Sequence, residues 1–167
     1  MTGKNVAAGF AAVMAISVAW VVSSVSRGWT EVPATTAPVD YKPSLSDFMN
    51  ETIQPRHIKV WLAVQNRNWA YATYELSELK GAFGRLGKTI PVYRKLPIPD
   101  MIAGTMEEPL GDLEKAMAAK DTAAFAKSYS ALTDGCNGCH GSAQHPMVVI
   151  KVPAENPFPD QDFHAAP

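Results

Sequence analysis

The run Cys136-Asn137-Gly138-Cys139-His140 constrains this chain more than any other feature, because it holds both of the cysteines in the sequence with a histidine directly after the second. Two positions three apart lie about one helical turn from each other, so on a helix both thiols and the imidazole share a face. Upstream, Phe125, Tyr129, Leu132, Cys136 and Cys139 recur every three or four residues. That period predicts a helix that starts at Asp121 or Thr122 and runs straight into the motif. Gly141 and the prolines at 146, 153, 157 and 159 end the pattern and predict an extended tail over 142–167.

Four chemistries compete for this motif. A thioredoxin-like redox pair needs a strand before it and a helix after it, whereas here a helix leads in and a proline-rich segment leads out. A zinc site wants four ligands, and only His145 is near enough to complete a set. A disulfide across so short a loop leaves His140 without a role. Cys-x-x-Cys-His as the attachment site of a c-type haem uses all three residues. The two thiols reach the two vinyl groups of one porphyrin as thioethers, and the adjacent imidazole faces the iron from the same side. The expected cofactor is therefore one covalently attached haem c, held by Cys136 and Cys139, with His140 as the proximal iron ligand.

The rest of the chain is read around that motif. Its 167 residues are 47% apolar and carry a net charge of -1, which suits one domain with tails and argues against disorder. No basic stripe marks a nucleic-acid binder. Lys4 precedes a long apolar run from Val6 to Val22, the pattern of an export signal. Ser24-Val25-Ser26 resembles a cleavage site, yet the run is also long enough, at ~1.5 Å per residue, to stay as a membrane anchor. Residues 1–26 are thus a signal peptide or an anchor, with residues 5–25 as the tether to the membrane, and 27–43 a Pro/Thr/Ala-rich spacer. Both alternatives place the folded part outside the cytoplasm, in a periplasm.

Residues 44–141 carry four helical patterns. Ser44 or Ser46 caps the first, which runs to about Gln65 with Met49, Ile53, His57 and Trp61 on one stripe. Pro55 should kink this helix or begin it. Asn68 caps a second helix over about 69–87, lined by Trp69, Ala72, Leu76, Leu79, Phe83 and Leu86. Three prolines make 88–100 the long connection. The third helix spans about Asp100 to Ala119, with Pro109 kinking or splitting it, and the fourth ends in the motif. No strand pattern of useful length appears; Met147–Val152 is assigned to the tail.

Placed near the end of the last of four helices, the motif makes the chain resemble the class II c-type cytochromes, the cytochrome c-prime group. The resemblance lies in layout over about 44–141 and, in residues, in C-N-G-C-H alone. It implies an all-α, antiparallel four-helix bundle with covalent haem near the end of the last helix, and a homodimer formed through helices one and two. Segments such as QPRHIKVWLA, NWAYATYELSEL and ALTDGCNGCH also look like a bacterial family of exported monohaem cytochrome-like proteins of poorly defined role.

In such a bundle the first helix lines the distal side of the haem. Three arrangements stay open there: His57 binds the iron, Met49 binds it, or neither does and a side chain such as Ile53 covers an open face. Arg56 and Lys59 are candidates for pairing with haem propionates. Trp61, Trp69 and Tyr129 read as packing, and His145 and His164 as exposed tail residues. The expected function is one-electron transfer between redox partner proteins, with no catalytic residues. The alternative is a five-coordinate protein that binds nitric oxide or carbon monoxide. A peroxidase-like enzyme would need an unligated His57 as its acid–base group.

Overall fold

The structure, a computed structural model, describes residues 40–165 of the chain. The signal or anchor assigned to 1–26 and nearly all of the spacer lie outside the described residues. Among those described, no helix is long and apolar enough to cross a membrane. The fold is all-α apart from one two-stranded hairpin.

Helix α1 (Leu45–Asp47), a π-helical turn (Phe48–Ile53) and α2 (Gln54–Gln65) follow one another without leaving helical backbone. Ser44, not Ser46, is the cap: its Oγ accepts from Asp47 N at 3.2 Å, and the Asp47 carboxylate accepts from Ser44 N at 2.8 Å. Pro55 lies in the first turn of α2, one residue from the start expected for it, and the helical backbone before it is not broken. Pro55 has no N–H to give the carbonyl four residues back, and its ring crowds that carbonyl. The π turn just before it takes up the misfit, with Gln54 N bonding Met49 O. Met49 stays on the stripe with Ile53, His57 and Trp61: Ile53 is in the core, Met49 and Trp61 pack against it, and His57 is buried.

Helix α3 (Trp69–Thr89) follows the Asn68 cap, and α5 (Thr122–Ser142) follows the Asp121 cap, both as the side chains imply. Between α3 and α4 (Ile98–Ala118) the connection differs from the expected plain loop. Strands β1 (Val92–Tyr93) and β2 (Leu96–Pro97) pair antiparallel, with Tyr93 opposite Leu96. The two turn residues, Arg94 and Lys95, have φ of 49° and 71°. Such left-handed pairs close tight hairpins, but Asn-Gly usually marks them, so an Arg-Lys pair leaves no signal in the sequence. Pro109 does not split α4, which runs through it from Ile98 to Ala118.

Three helices end in one device. The residue after the cap is left-handed, and two tightened bonds follow: Arg67 N to Val64 O with Asn68 N to Ala63 O, Lys120 N to Met117 O with Asp121 N to Ala116 O, and Gln144 N to Gly141 O with His145 N to His140 O. This is the Schellman arrangement, which glycine favours because a Cβ is strained at positive φ. Lys120 is exposed with φ 53°. Lys120→Gly should therefore raise stability by roughly 0.5–1 kcal/mol despite the added freedom of the unfolded chain. A shift of the urea midpoint upward at constant slope checks it, and a downward shift contradicts it.

Consecutive helices pack on one another, α2 on α3, α3 on α4 and α4 on α5. Between α2 and α5 the contact is made by large side chains: the Trp61 ring lies 4.8 Å from Tyr129 and 5.9 Å from Phe125, and His57 lies 4.5 Å from Tyr129. The tail is extended but not free. Phe163 is buried in the core, Gln161 donates to Tyr71 Oη at 2.6 Å, and Asn68 Nδ2 donates to His164 O at 3.0 Å.

Candidate functional site

Helix α5 presents Cys136, Cys139 and His140 on one side, as their spacing requires. Both thiols are free and half-buried, and with His140 they line an apolar cleft. A cavity of about 240 Å³ holds Met49, Phe83, Met106, Cys139, His140 and Val148 in its wall. A smaller one of about 60 Å³ adjoins it and adds Ile53, His57, Cys136 and Ile150. Met49, Ile53 and the motif are thus brought to one place from opposite ends of the fold.

Beside this cleft α4 approaches α5 closely. Pro109 cannot donate to the carbonyl of Thr105, four residues earlier. That carbonyl faces Gly135, where an added Cβ would lie 2.9 Å from it, and Met106 Sδ would lie 3.7 Å away. A residue with no side chain at 135 lets α5 sit against the carbonyl that proline leaves open, and Cys136 and Met106 line one cavity next to it.

The acid–base character of the motif follows from burial. Cys136 is pushed up to about 12 by burial and by the neighbouring Cys139 sulfur, and burial raises Cys139 as well. Redox-active cysteine pairs need the opposite, a thiol whose acidity is increased. Among the described residues no three His, Cys, Asp or Glu side chains are grouped to hold a bare metal ion. His145 is half-buried, not exposed, and its Nε2 meets Tyr93 Oη at 3.1 Å. His164 is exposed, beside Asp162.

His140 Nδ1 lies 2.8 Å from Val148 O. A carbonyl can only accept, so Nδ1 carries a proton, and in the neutral ring the lone pair is then on Nε2. No protein group among the described residues takes that Nε2. This is the tautomer an iron-binding imidazole needs, with its other nitrogen held by a backbone acceptor. The donor set therefore fits a haem: two thiols, an imidazole with one free lone pair, and an apolar cleft beside them.

His57 is also brought to the cleft, but its nitrogens are taken. It is 3% exposed, Nε2 lies 3.0 Å from Thr133 Oγ1, and Nδ1 lies 2.9 Å from Tyr129 Oη. Thr133 donates to Tyr129 O at 2.9 Å, so its hydroxyl accepts from His57 Nε2–H. The Tyr129 phenol, kept protonated by burial, lies 2.7 Å from His57 O and also faces Nδ1, which has only a lone pair to offer. Burial holds His57 down to about 4, so the ring is neutral. Iron could be bound only by giving up one of these bonds.

Arg56 is not brought to the cleft. Its guanidinium pairs with Glu75 at 3.0 Å and Glu78 at 3.4 Å, both on α3. The Glu75 carboxylate is nearly buried and also accepts from Tyr71 Oη at 2.6 Å, so the charge of Arg56 is committed to the α2–α3 seam. Lys59 lies over the Phe158 ring of the tail, 4.8 Å from its centre.

Met106 was not among the sequence candidates, although it lines both cavities. Nothing in its surroundings set it apart from an ordinary core methionine. Val148 was missed for a different reason: it acts through its backbone, and backbone groups leave no mark in a sequence. No protein-family model, curated protein or solved structure matches the chain.

Proposed function

We propose that the chain is an exported monohaem c-type cytochrome whose helices form an antiparallel four-helix bundle of the cytochrome c-prime kind, and that it carries single electrons in a periplasm. The observation that carries this reading is the His140 side chain, with Nδ1–H on the Val148 carbonyl and Nε2 left for iron beside two protonated thiols. Cys136 and Cys139 would hold the porphyrin and His140 the iron. When bound, the haem supplies a one-electron couple. The protein's part is to prevent haem loss, to exclude water with Phe83, Met106 and Ile53, and to set the potential.

On the distal side, Met49 lines both cavities and has no hydrogen bond to give up, which favours it over His57 as the sixth ligand. An occupied sixth position suits an electron carrier. The gas-binding reading requires that Met49 stay off the iron, and Ile53 in the wall is the side chain that would then cover the face. With both ring nitrogens engaged, His57 is not placed to act as the free acid–base group of a peroxidase. A redox partner protein would dock weakly, because a net charge of -1 gives little long-range steering.

Expression with a haem-attachment apparatus should yield one haem per chain that stays with the polypeptide through acid denaturation. Replacing both Cys136 and Cys139 by Ser should abolish that retention completely. A colourless wild-type product, or haem retained by the double variant, would overturn the reading. The ferrous spectrum under carbon monoxide separates the two functions: no change indicates a carrier with its sixth position filled, and a shift indicates the gas-binding protein.

A further inference from the structure

We infer that Asn137 is a positioning residue that holds the chain after α5 across the motif and thereby keeps the Val148 carbonyl on His140. The inference rests on the haem reading for its effect on iron, but the splint itself is a property of the polypeptide.

The Schellman turn at Gln144 reverses the chain, and Pro146 prevents any further helix. The following residues run back extended along α5. Asn137 and His140 are three apart on the helix, so they stand about 5–6 Å from each other on one face. Val148 and Ile150 are two apart on an extended chain, where a two-residue repeat spans about 6.6 Å. The two spacings match closely enough for both pairs to close together. Asn137 Oδ1 accepts from Ile150 N at 2.7 Å and its Nδ2 donates to Ile150 O at 3.0 Å, the pairing a neighbouring strand would supply. One step along, His140 Nδ1 donates to Val148 O.

Side-chain burial holds little of this segment, and only Ile150 is half-buried, in the wall of the smaller cavity. Met147 is 75% exposed, Val149 61% and Val148 46%. The nearest other polar ties are Val148 N to His145 O, which is internal to the turn, and His145 to Tyr93. Among the described residues, the hydrogen bonds that tie Ile150 to α5 are those of the Asn137 carboxamide. Without it the segment beyond the turn loses its register, and the Val148 carbonyl loses its fixed position. A carbonyl on Nδ1–H makes an imidazole a stronger donor at its other nitrogen, which favours ferric over ferrous iron. Asn137 therefore acts on the potential through Val148 and His140, without touching the iron.

The test uses the full chain carrying Asn137→Ala, with Ile150→Pro as a second variant that removes the Ile150 N–H from the tail side. Before haem is attached, amide exchange in the segment is read by NMR: Val148, and in Asn137→Ala also Ile150, should exchange at least tenfold faster than in wild type. After attachment, the midpoint potential of both variants should rise by on the order of 59 mV, a tenfold change in the one-electron equilibrium. Exchange that stays slow in both variants overturns the splint. Faster exchange with an unchanged potential overturns the positioning role and leaves Asn137 a structural residue. A wild-type chain that takes up no haem defeats the haem reading and the role toward iron with it. Accelerated exchange in the haem-free chain would then still separate that failure from a failure of the splint.

Discussion

His57→Ala is expected to destabilise the fold by on the order of 3 kcal/mol while leaving the visible spectrum of the haem-loaded protein unchanged. The cost has two parts. His57 loses its bonds to Thr133 and Tyr129, worth about 1 kcal/mol each, and the missing ring leaves a void beside Tyr129, whose ring lies 4.5 Å away. Thr133 and Tyr129 keep their backbone acceptors, so neither hydroxyl is orphaned. Urea unfolding reads the first half of the prediction. Loss of a low-spin spectrum in the variant would make His57 the sixth ligand and overturn the second half.

The same residue sets an acid limit. His57 is held near 4 in the folded chain by burial, against 6.5 for the free side chain. Between those values the unfolded chain binds a proton that the folded chain refuses. Stability from this group is complete above pH 6.5 and is lost as pH falls toward 4, by about 3 kcal/mol over the whole window. His57→Gln keeps a donor and an acceptor without titrating, so its stability between pH 4 and 6.5 should vary by correspondingly less. An identical pH slope in wild type and His57→Gln would show that burial of this ring does not govern the acid limit.

Gly135→Ala should cost about 2 kcal/mol, against the usual rule that alanine in place of glycine strengthens a helix by about 1 kcal/mol. The sign reverses because the new methyl would lie 2.9 Å from the Thr105 carbonyl oxygen, a backbone atom that cannot swing aside. Relief requires α5 to move away from α4, which would also move Cys136 away from Met106. The variant should therefore lower the unfolding midpoint and reduce the yield of attached haem together. Gly138→Ala, on the same helix with open space around it, is the control and should be neutral or stabilising. If both variants stabilise, the tight α4–α5 seam does not constrain the fold.

Much of the scaffold was legible before any coordinates. The cap at Asn68 announces itself through its side-chain oxygen, those at Ser44 and Asp121 were each one of two neighbouring candidates, and the stripes from Phe48 to Leu86 and from Phe125 to Cys139 carry the helical period. Pro55 and Pro109 were harder. A proline states that a bond is missing, but not whether a π turn or a facing glycine will absorb the loss. The hairpin and the three Schellman turns were invisible because Arg94, Lys95, Arg67, Lys120 and Gln144 occupy left-handed positions without being glycine.

For the site, the division has a clear physical basis. The sequence alone determined that two thiols and an imidazole share one helical face, since helix geometry makes that a matter of spacing. Only the tertiary structure decided which neighbours meet that face. It gave His57 to Tyr129 and Thr133, Arg56 to Glu75, and His140 to the carbonyl of Val148. Those partners lie far away in the chain or act through the backbone, and neither long-range pairing nor a backbone acceptor is written in the identity of a residue.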